Sequence, residues 1–330
     1  MSIKEIRAMT GFSCSTISRV LNGKSREFRI SEGTRRAILE AAEKINYRPS
    51  ILARSLRLKK TMTIGLIVPD IMNPFFGELS WMIERSLYGH GFSTIICNSK
   101  GVPKNEEFYL RVLVDSQVDG ILIAPAHTKE WNELENVSQK TAVVLLVRML
   151  YETELPWVTS DNKGAAEALT SELVKLGHSR IAFLGGRPGS YIDSARFVGY
   201  RDALEKNGLP IEDHLVLHKG LTIEDGEAMM RTLLSRAPDI QAVLCVNNLV
   251  FLGAIKIVLQ HEAKTQKPIM LAAFDIDRHS GLFRRPLLSA NQNMESLADA
   301  AVSLLLDRIN GRPIRDGHIT IPVRVDQYRV

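Results

Sequence analysis

Residues Ser13 to Asn22 read Ser-Cys-Ser-Thr-Ile-Ser-Arg-Val-Leu-Asn. Helical spacing puts Ile17, Val20 and Leu21 on one apolar face and leaves Cys14, Ser15, Thr16, Ser18 and Arg19 on the other. Short polar side chains at a helix N-terminus let the helix approach phosphates and base edges closely, and one arginine further along can pair its guanidinium with guanine O6 and N7. This chemistry is recognition rather than bond making. No Gly-x-Gly-x-x-Gly follows a first strand, and there is no Gly-x-x-x-x-Gly-Lys-Ser/Thr, His-Glu-x-x-His or Gly-x-Ser-x-Gly. His127, His261 and His279 have no Cys or acidic partner at metal spacing, and His178 beside Gly177 reads as a cap or packing residue. Cys14, Cys97 and Cys245 are widely spaced, which excludes a disulfide scaffold and a thiolate zinc site. The expectation is a protein that is not an enzyme and carries no cofactor or metal.

The elements around the polar face are short helices. Ile3, Ile6 and Met9 form an i, i+3 stripe, Gly11 supplies a turn at positive φ, and Ser13 caps the second helix, which ends at Asn22-Gly23. A third helix starts near Ser31, buries Ala37, Ile38, Ala41 and Ile45, and must stop before Pro49. Two short helices about a tight turn make a helix-turn-helix. Charge supports a nucleic-acid contact: the net +5 of the chain is a sum of +9 over residues 1–60 and −4 over the remaining 270.

From Thr63 the texture changes. Apolar runs at Ile64–Val68, Thr94–Cys97, Gly120–Ala124, Ala142–Val147 and Trp157–Ser160 alternate with helical stretches. A second series follows at Ile181–Gly185, Leu215–Leu217, Ala242–Val246 and Ile269–Phe274. Helices are expected at Phe76–Gly89, Glu107–Ser116, Gly164–Leu176 and Asp193–Lys206. Strands bounded by helices imply parallel sheets covered on both faces, here two doubly wound lobes of about five strands with a ligand trapped between strand ends. The run Gly185-Gly186-Arg187-Pro188-Gly189 reads as a strand-end turn, with a phosphate cradle as the alternative. Ile319–Val330 reads as a final strand. No apolar run reaches the roughly 18 residues of a membrane span, and the N-terminus has no apolar signal region, so a cytoplasmic chain without membrane contact is expected.

These residues carry a family likeness. Ser13–Asn22, Asn46-Tyr47-Arg48-Pro49, Ala53-Arg54-Ser55-Leu56, Thr63–Asp70, Asn73-Pro74-Phe75-Phe76, Val118-Asp119-Gly120, Asp161-Asn162, Leu176-Gly177-His178 and Arg196-Phe197-Val198-Gly199-Tyr200 occur in the order and spacing of the lactose/galactose-repressor (LacI/GalR) family of bacterial transcriptional regulators, which the whole chain resembles. The resemblance implies a multi-domain chain: an all-α helix-turn-helix DNA-binding domain at 1–49, a hinge helix and linker at 50–60, and an α/β periplasmic-binding-protein-like effector and dimerisation domain at 61–330. Its N-lobe would span about 61–160 and 293–320, and its C-lobe about 161–292 and 321–330.

The resemblance also implies roles. Cys14, Ser15 and Arg19 would read bases, Thr16 and Ser18 would make mainly phosphate or mixed contacts, and Ser13 and Asn22 belong to the same DNA-binding set. In the hinge, Leu56 beside Ala53 would wedge into the minor groove and bend the duplex. Phe75, Phe76, Arg148, Arg196, Asn247, Asp275 and Gln292 would line the effector pocket. The implied partners are a palindromic double-stranded operator, a second copy of the chain, and a small-molecule effector that is a sugar, sugar acid or sugar phosphate. The implied function is repression of a carbohydrate-utilisation operon. Open alternatives are a nucleobase-responsive or activating member of the same family and, in a different class, a sugar-binding transport component. Four departures stand out: Val147 where the family usually has Asp before the arginine, Asn248 in place of the Asp of an Asn-Asp pair, Leu221 where sugar binders often carry a stacking aromatic, and a longer, basic loop at Lys24–Ile30. Loss of two acids with Arg148 and Arg196 retained tilts the pocket toward an acidic ligand.

Overall fold

Helices α1 (Ile3–Thr10), α2 (Cys14–Leu21) and α3 (Glu32–Lys44) pack their apolar stripes into one small core of Ile6, Ile17, Val20, Ile38, Ala41 and Ala42. The Gly11 turn has φ +72°, a conformation open to glycine at little cost. Ser13 Oγ accepts from Thr16 N at 3.1 Å and Ser31 Oγ from Thr34 N at 3.2 Å, so α2 and α3 each start on a side-chain cap. Met9, expected on the buried stripe, is 50% exposed. The core is small enough that Ile6 alone closes it from α1, with Ile3 at the rim. The computed structural model describes residues 3–21, 23–47, 60–128, 131–276, 285–314 and 316–328, which fall into two units, Met1–Thr61 and Met62–Val330.

The second unit follows the strand–helix alternation. Its elements are β1 (Thr63–Val68), α4 (Pro74–Gly89), β2 (Ser93–Asn98), α5 (Pro103–Asp115), β3 (Gly120–Ile123), α6 (Asn132–Ser138), β4 (Ala142–Leu146), β5 (Trp157–Ser160) and α7 (Asn162–Lys175). Then come β6 (Ile181–Gly185), α8 (Tyr191–Lys206), β7 (Val216–His218), α9 (Ile223–Arg236), β8 (Ala242–Cys245), α10 (Asn248–Thr265), β9 (Met270–Phe274), β10 (Leu287–Gln292), α11 (Met294–Ile309), β11 (His318–Ile321) and β12 (Val323–Tyr328). One sheet has the order β11-β5-β4-β3-β1-β2 and is parallel throughout. The other has the order β12-β10-β9-β8-β6-β7, with only β12 antiparallel to its neighbour. Central strands such as Gly120–Ile123 and Ile181–Gly185 are buried along their whole length, as parallel strands covered by helices on both faces must be. The chain passes between the sheets three times, after β5, β10 and β11.

Each sheet has six strands rather than about five. β10 was not expected as a strand, because Leu-Leu-Ser-Ala-Asn-Gln is half polar although most of it is buried. The single terminal strand expected at Ile319–Val330 is two, one in each sheet, broken at Pro322, which has no N–H to continue a ladder. Helices begin earlier than expected because the chain supplies starts: Asn73 caps α4 with Pro74 following, Asp161 caps α7 and Ser190 caps α8.

Helix α8 crosses α7 at Gly199. A Cβ built there would lie 2.2 Å from Lys163 O and 2.9 Å from Glu167 N, so the two backbones meet only because position 199 has no side chain. That approach seats Arg196, one turn earlier on α8, against Asn162 at the start of α7: Arg196 Nε donates to Asn162 Oδ1 at 2.9 Å.

Candidate functional site

Between the two sheets lies a cavity of about 540 Å³. Its walls are the C-terminal ends of strands from both lobes: Asp70 after β1, Lys100 after β2 and Arg148 after β4 face Arg187 after β6, Asn247 after β8 and Asp275 after β9. Both sheets reverse strand order there, beside β1 in one and β6 in the other, which is where open α/β sheets hold ligands. The seven residues Phe75, Phe76, Arg148, Arg196, Asn247, Asp275 and Gln292 all line this one cavity.

The local backbone explains several of these placements. Val147 has φ +66° and Asp275 has φ +57°, left-handed conformations that cost a β-branched valine dearly. Around Val147 the chain is pinned: Val147 N donates to Val158 O at 2.7 Å, Thr159 Oγ1 to Val147 O at 2.6 Å, and Arg148 N to Leu146 O at 2.6 Å. The tight turn ends β4 and delivers Arg148 to the cavity. Asp275 is fixed from its other side: Gln292 donates to it through its backbone N at 3.0 Å and through Nε2 at 2.6 Å. Gln292 Oε1 is then left buried with no donor, an acceptor that a ligand hydroxyl would satisfy.

Arg196 is buried. Its Nε bonds Asn162, another guanidinium N–H donates to Val246 O, and its plane stacks 3.4 Å from the Phe274 ring centroid. Burial pushes its pKa down to about 10, with Asp275 opposing that and Arg148 adding to it. Arg148 is pushed to about 10 for the same first reason, opposed by Glu106 and helped by Arg187. Phe75 and Phe76 meet edge to face at 5.0 Å, and Arg148 lies 5.7 Å above the Phe76 ring. Asn247 caps α10 through Val250 N and donates to Leu221 O. Its neighbour Asn248 bridges the lobes: Asn248 Nδ2 donates at 2.9 Å to Asn73 Oδ1, the capping oxygen of α4.

Residue-type reasoning missed Arg187, Lys100, Tyr191 and the inter-lobe Asn73. It also missed Glu106, which stands behind the cavity on α5. Its carboxylate is wholly buried, accepts from Ala126 N at 2.8 and 2.9 Å and from Ser99 Oγ at 3.2 Å, and burial raises its pKa to about 7. The Gly185-Gly186 pair is required by packing. A Cβ at 185 would fall 2.3 Å from His218 Nδ1, one at 186 would fall 2.5 Å from Leu221 Cδ2, and Gly186 N already donates to Asp193 Oδ1 at 2.6 Å.

In the first unit, Ser13, Ser15 and Arg19 are exposed, and Cys14, Thr16 and Ser18 are half-buried. Ser13 Oγ also bonds the Ser15 and Thr16 hydroxyls, at 2.8 and 2.9 Å. The Arg19 guanidinium lies 3.9 Å above the ring of Phe28, which belongs to the loop Lys24–Ile30. Asn22, Ala53 and Leu56 lie outside the described residues, as does the hinge segment 50–56. No group of three or more His, Cys, Asp or Glu side chains among the described residues could hold a metal ion, and no described helix is long and apolar enough to cross a membrane.

Two family models match the chain: "Bacterial regulatory proteins, lacI family" over residues 2–50, and "Periplasmic binding proteins and sugar binding domain of LacI family" over residues 61–326. Catabolite control protein A of Priestia megaterium is 29% identical over 327 residues, spanning 99% of this chain and 98% of that protein. Among solved structures, a transcriptional regulator CelR–cellobiose complex is 25% identical with a TM-score of 0.73, covering 99% of this chain and 98% of the other. The lac repressor dimer bound to operator and the anti-inducer ONPF has a TM-score of 0.85 at 20% identity, with 99% and 98% coverage, and shares the fold.

Proposed function

The chain belongs to the lacI family of bacterial regulatory proteins, as a DNA-binding transcriptional regulator, and from that premise we propose that it represses a carbohydrate-utilisation operon, with an effector in the inter-lobe cavity setting its operator affinity. The observation that carries the effector site is the convergence of Phe75, Phe76, Arg148, Arg196, Asn247, Asp275 and Gln292 on one cavity, with donors, acceptors and an aromatic wall suited to a hydroxylated ligand. The CelR relative was solved with cellobiose, which fits that chemistry.

For DNA, Ser13, Cys14, Ser15, Thr16, Ser18 and Arg19 form the reading face, joined by Asn22 and, in the minor groove, by Ala53 and Leu56. The regulator acts in the cytoplasm as a homodimer on a palindromic operator, since a two-fold protein matches two half-sites. An apolar surface suits the second copy: Trp81 and Tyr88 on α4 and Ile95 and Ile96 on edge strand β2 are all exposed. Ligand linkage supplies the switch, because an effector moves the equilibrium only by its differential affinity for the two lobe arrangements.

A thermal-shift screen of sugars and sugar derivatives on the full chain tests the site. A compound that raises the midpoint should change the affinity for promoter duplex, and Asp275→Asn should abolish both effects. Stabilisation that persists undiminished in Asp275→Asn and Arg196→Met would place the ligand elsewhere.

A further inference from the structure

Five cationic side chains line the cavity against three carboxylates. The carboxylates are already engaged. Asp275 clamps the Gln292 amide, Asp225 closes the capping box at the start of α9, and Asp70 accepts from Met72 N. Three of the cations are not: the exposed Lys100, and Arg148 and Arg187. Among the described residues, neither the Arg148 nor the Arg187 guanidinium makes a hydrogen bond or ion pair, and Arg148 rests only against the Phe76 ring. Arg148 and Arg187 come from opposite lobes, after β4 and after β6, and Arg148 feels Arg187 as a like charge. Glu106, the acid that acts on Arg148, has its pKa raised by burial to about 7, so near neutral pH it is only partly ionised and offsets only part of this charge.

Asp275 after β9 and the unsatisfied Gln292 Oε1 at the end of β10 want hydroxyls. Arg148 and Arg187 present guanidiniums whose paired N–H groups suit a carboxylate or phosphate.

We propose that the effector is a polyhydroxylated small molecule bearing one anionic group, bound between Arg148 and Arg187 with its hydroxyls turned to Asp275 and Gln292. Binding would replace a like-charge contact between the lobes by an anion shared between them, so the ligand itself would favour the closed cleft. This rests on the reading of the cavity as the effector site and adds the ligand's charge and direction.

The test uses the full chain and matched probes: inorganic phosphate alone, then glucose, glucuronate and glucose 6-phosphate, titrated by calorimetry and by thermal shift. Phosphate is expected to stabilise the protein saturably, and at least one charged sugar to bind at least tenfold tighter than glucose. Arg187→Met, at an exposed position and so safe for folding, should remove the saturable phosphate effect and the tenfold gap. Arg148→Lys should keep part of the gap. A larger gap for glucose 6-phosphate than for glucuronate, or the reverse, separates phosphate from carboxylate as the source of the charge. The anion clamp is overturned if phosphate has no saturable effect, if Arg187→Met leaves that effect unchanged, or if glucose binds as tightly as both charged forms. Failure of the underlying site would look different: charged sugars would bind through Arg187, yet Asp275→Asn would not weaken them and promoter affinity would not respond.

Discussion

Replacing Glu106 by glutamine isolates the free energy of ionising a carboxyl group behind the cavity. In the folded chain burial raises its pKa from 4.5 to about 7, against the opposing pull of the Ala126 N–H, the Arg148 charge and the Ser99 hydroxyl. The unfolded chain releases this proton first. Between these two pH values the folded state holds more protons, so its stability falls as pH rises. The stability is fully present below the unfolded pKa and is lost through pH 7. Linkage over this span gives about 2.5 kcal/mol lost between pH 5 and pH 8. Glu106→Gln keeps the shape and an acceptor for Ala126 N but cannot ionise. Urea unfolding of both proteins at pH 5, 6, 7 and 8 should show the wild type falling behind the variant by about that amount, since every other titration cancels in the difference. Parallel stability curves would refute the raised pKa of this buried carboxyl group.

Other outcomes follow from single contacts. Arg19→Ala should cost about 1–3 kcal/mol of operator affinity and relax one base pair per half-site, while an equal loss on every duplex would make Arg19 a phosphate contact. Phe28→Ala removes the ring beneath Arg19, and gel-shift titration should show a smaller loss at that same base pair. Gly199→Ala must push apart backbones that a Cβ cannot fit between, costing about 1–3 kcal/mol in unfolding experiments and loosening the Arg196–Asn162 bond. Sedimentation should give a dimer that Tyr88→Asp weakens, and a monomer in the wild type at micromolar concentration would contradict the self-association face.

The alternation of apolar runs and helices made the two-lobed fold legible, because a strand buried on both faces has no polar residue to hide it. What escaped has physical reasons. β10 ends in Ser-Ala-Asn-Gln and looks like a turn until its polar groups find partners in Asp275, Asp326 and Tyr328. Glu106 sits in Lys-Asn-Glu-Glu-Phe, which reads as a solvated helix face; only the fold shows that one of the two glutamates is inside. Arg187 lies in a glycine- and proline-rich turn with no periodicity, so its place opposite Arg148 depends on how β6 meets β4 across two lobes. The cavity residues from Phe75 to Gln292 that are proposed to hold the effector come from resemblance to a known family. Spacing alone does not gather positions more than 200 residues apart.

The basic head is expected to read a two-fold DNA sequence under the control of the body. The most direct measurement is selection of the full chain against duplexes with a randomised core, followed by sequencing and by affinity titration at several salt concentrations. The expected result is enrichment of an inverted repeat whose affinity falls steeply with salt, and loss of preference at one position per half-site in Arg19→Ala. Recovery of duplexes with no shared or symmetric sequence would contradict it.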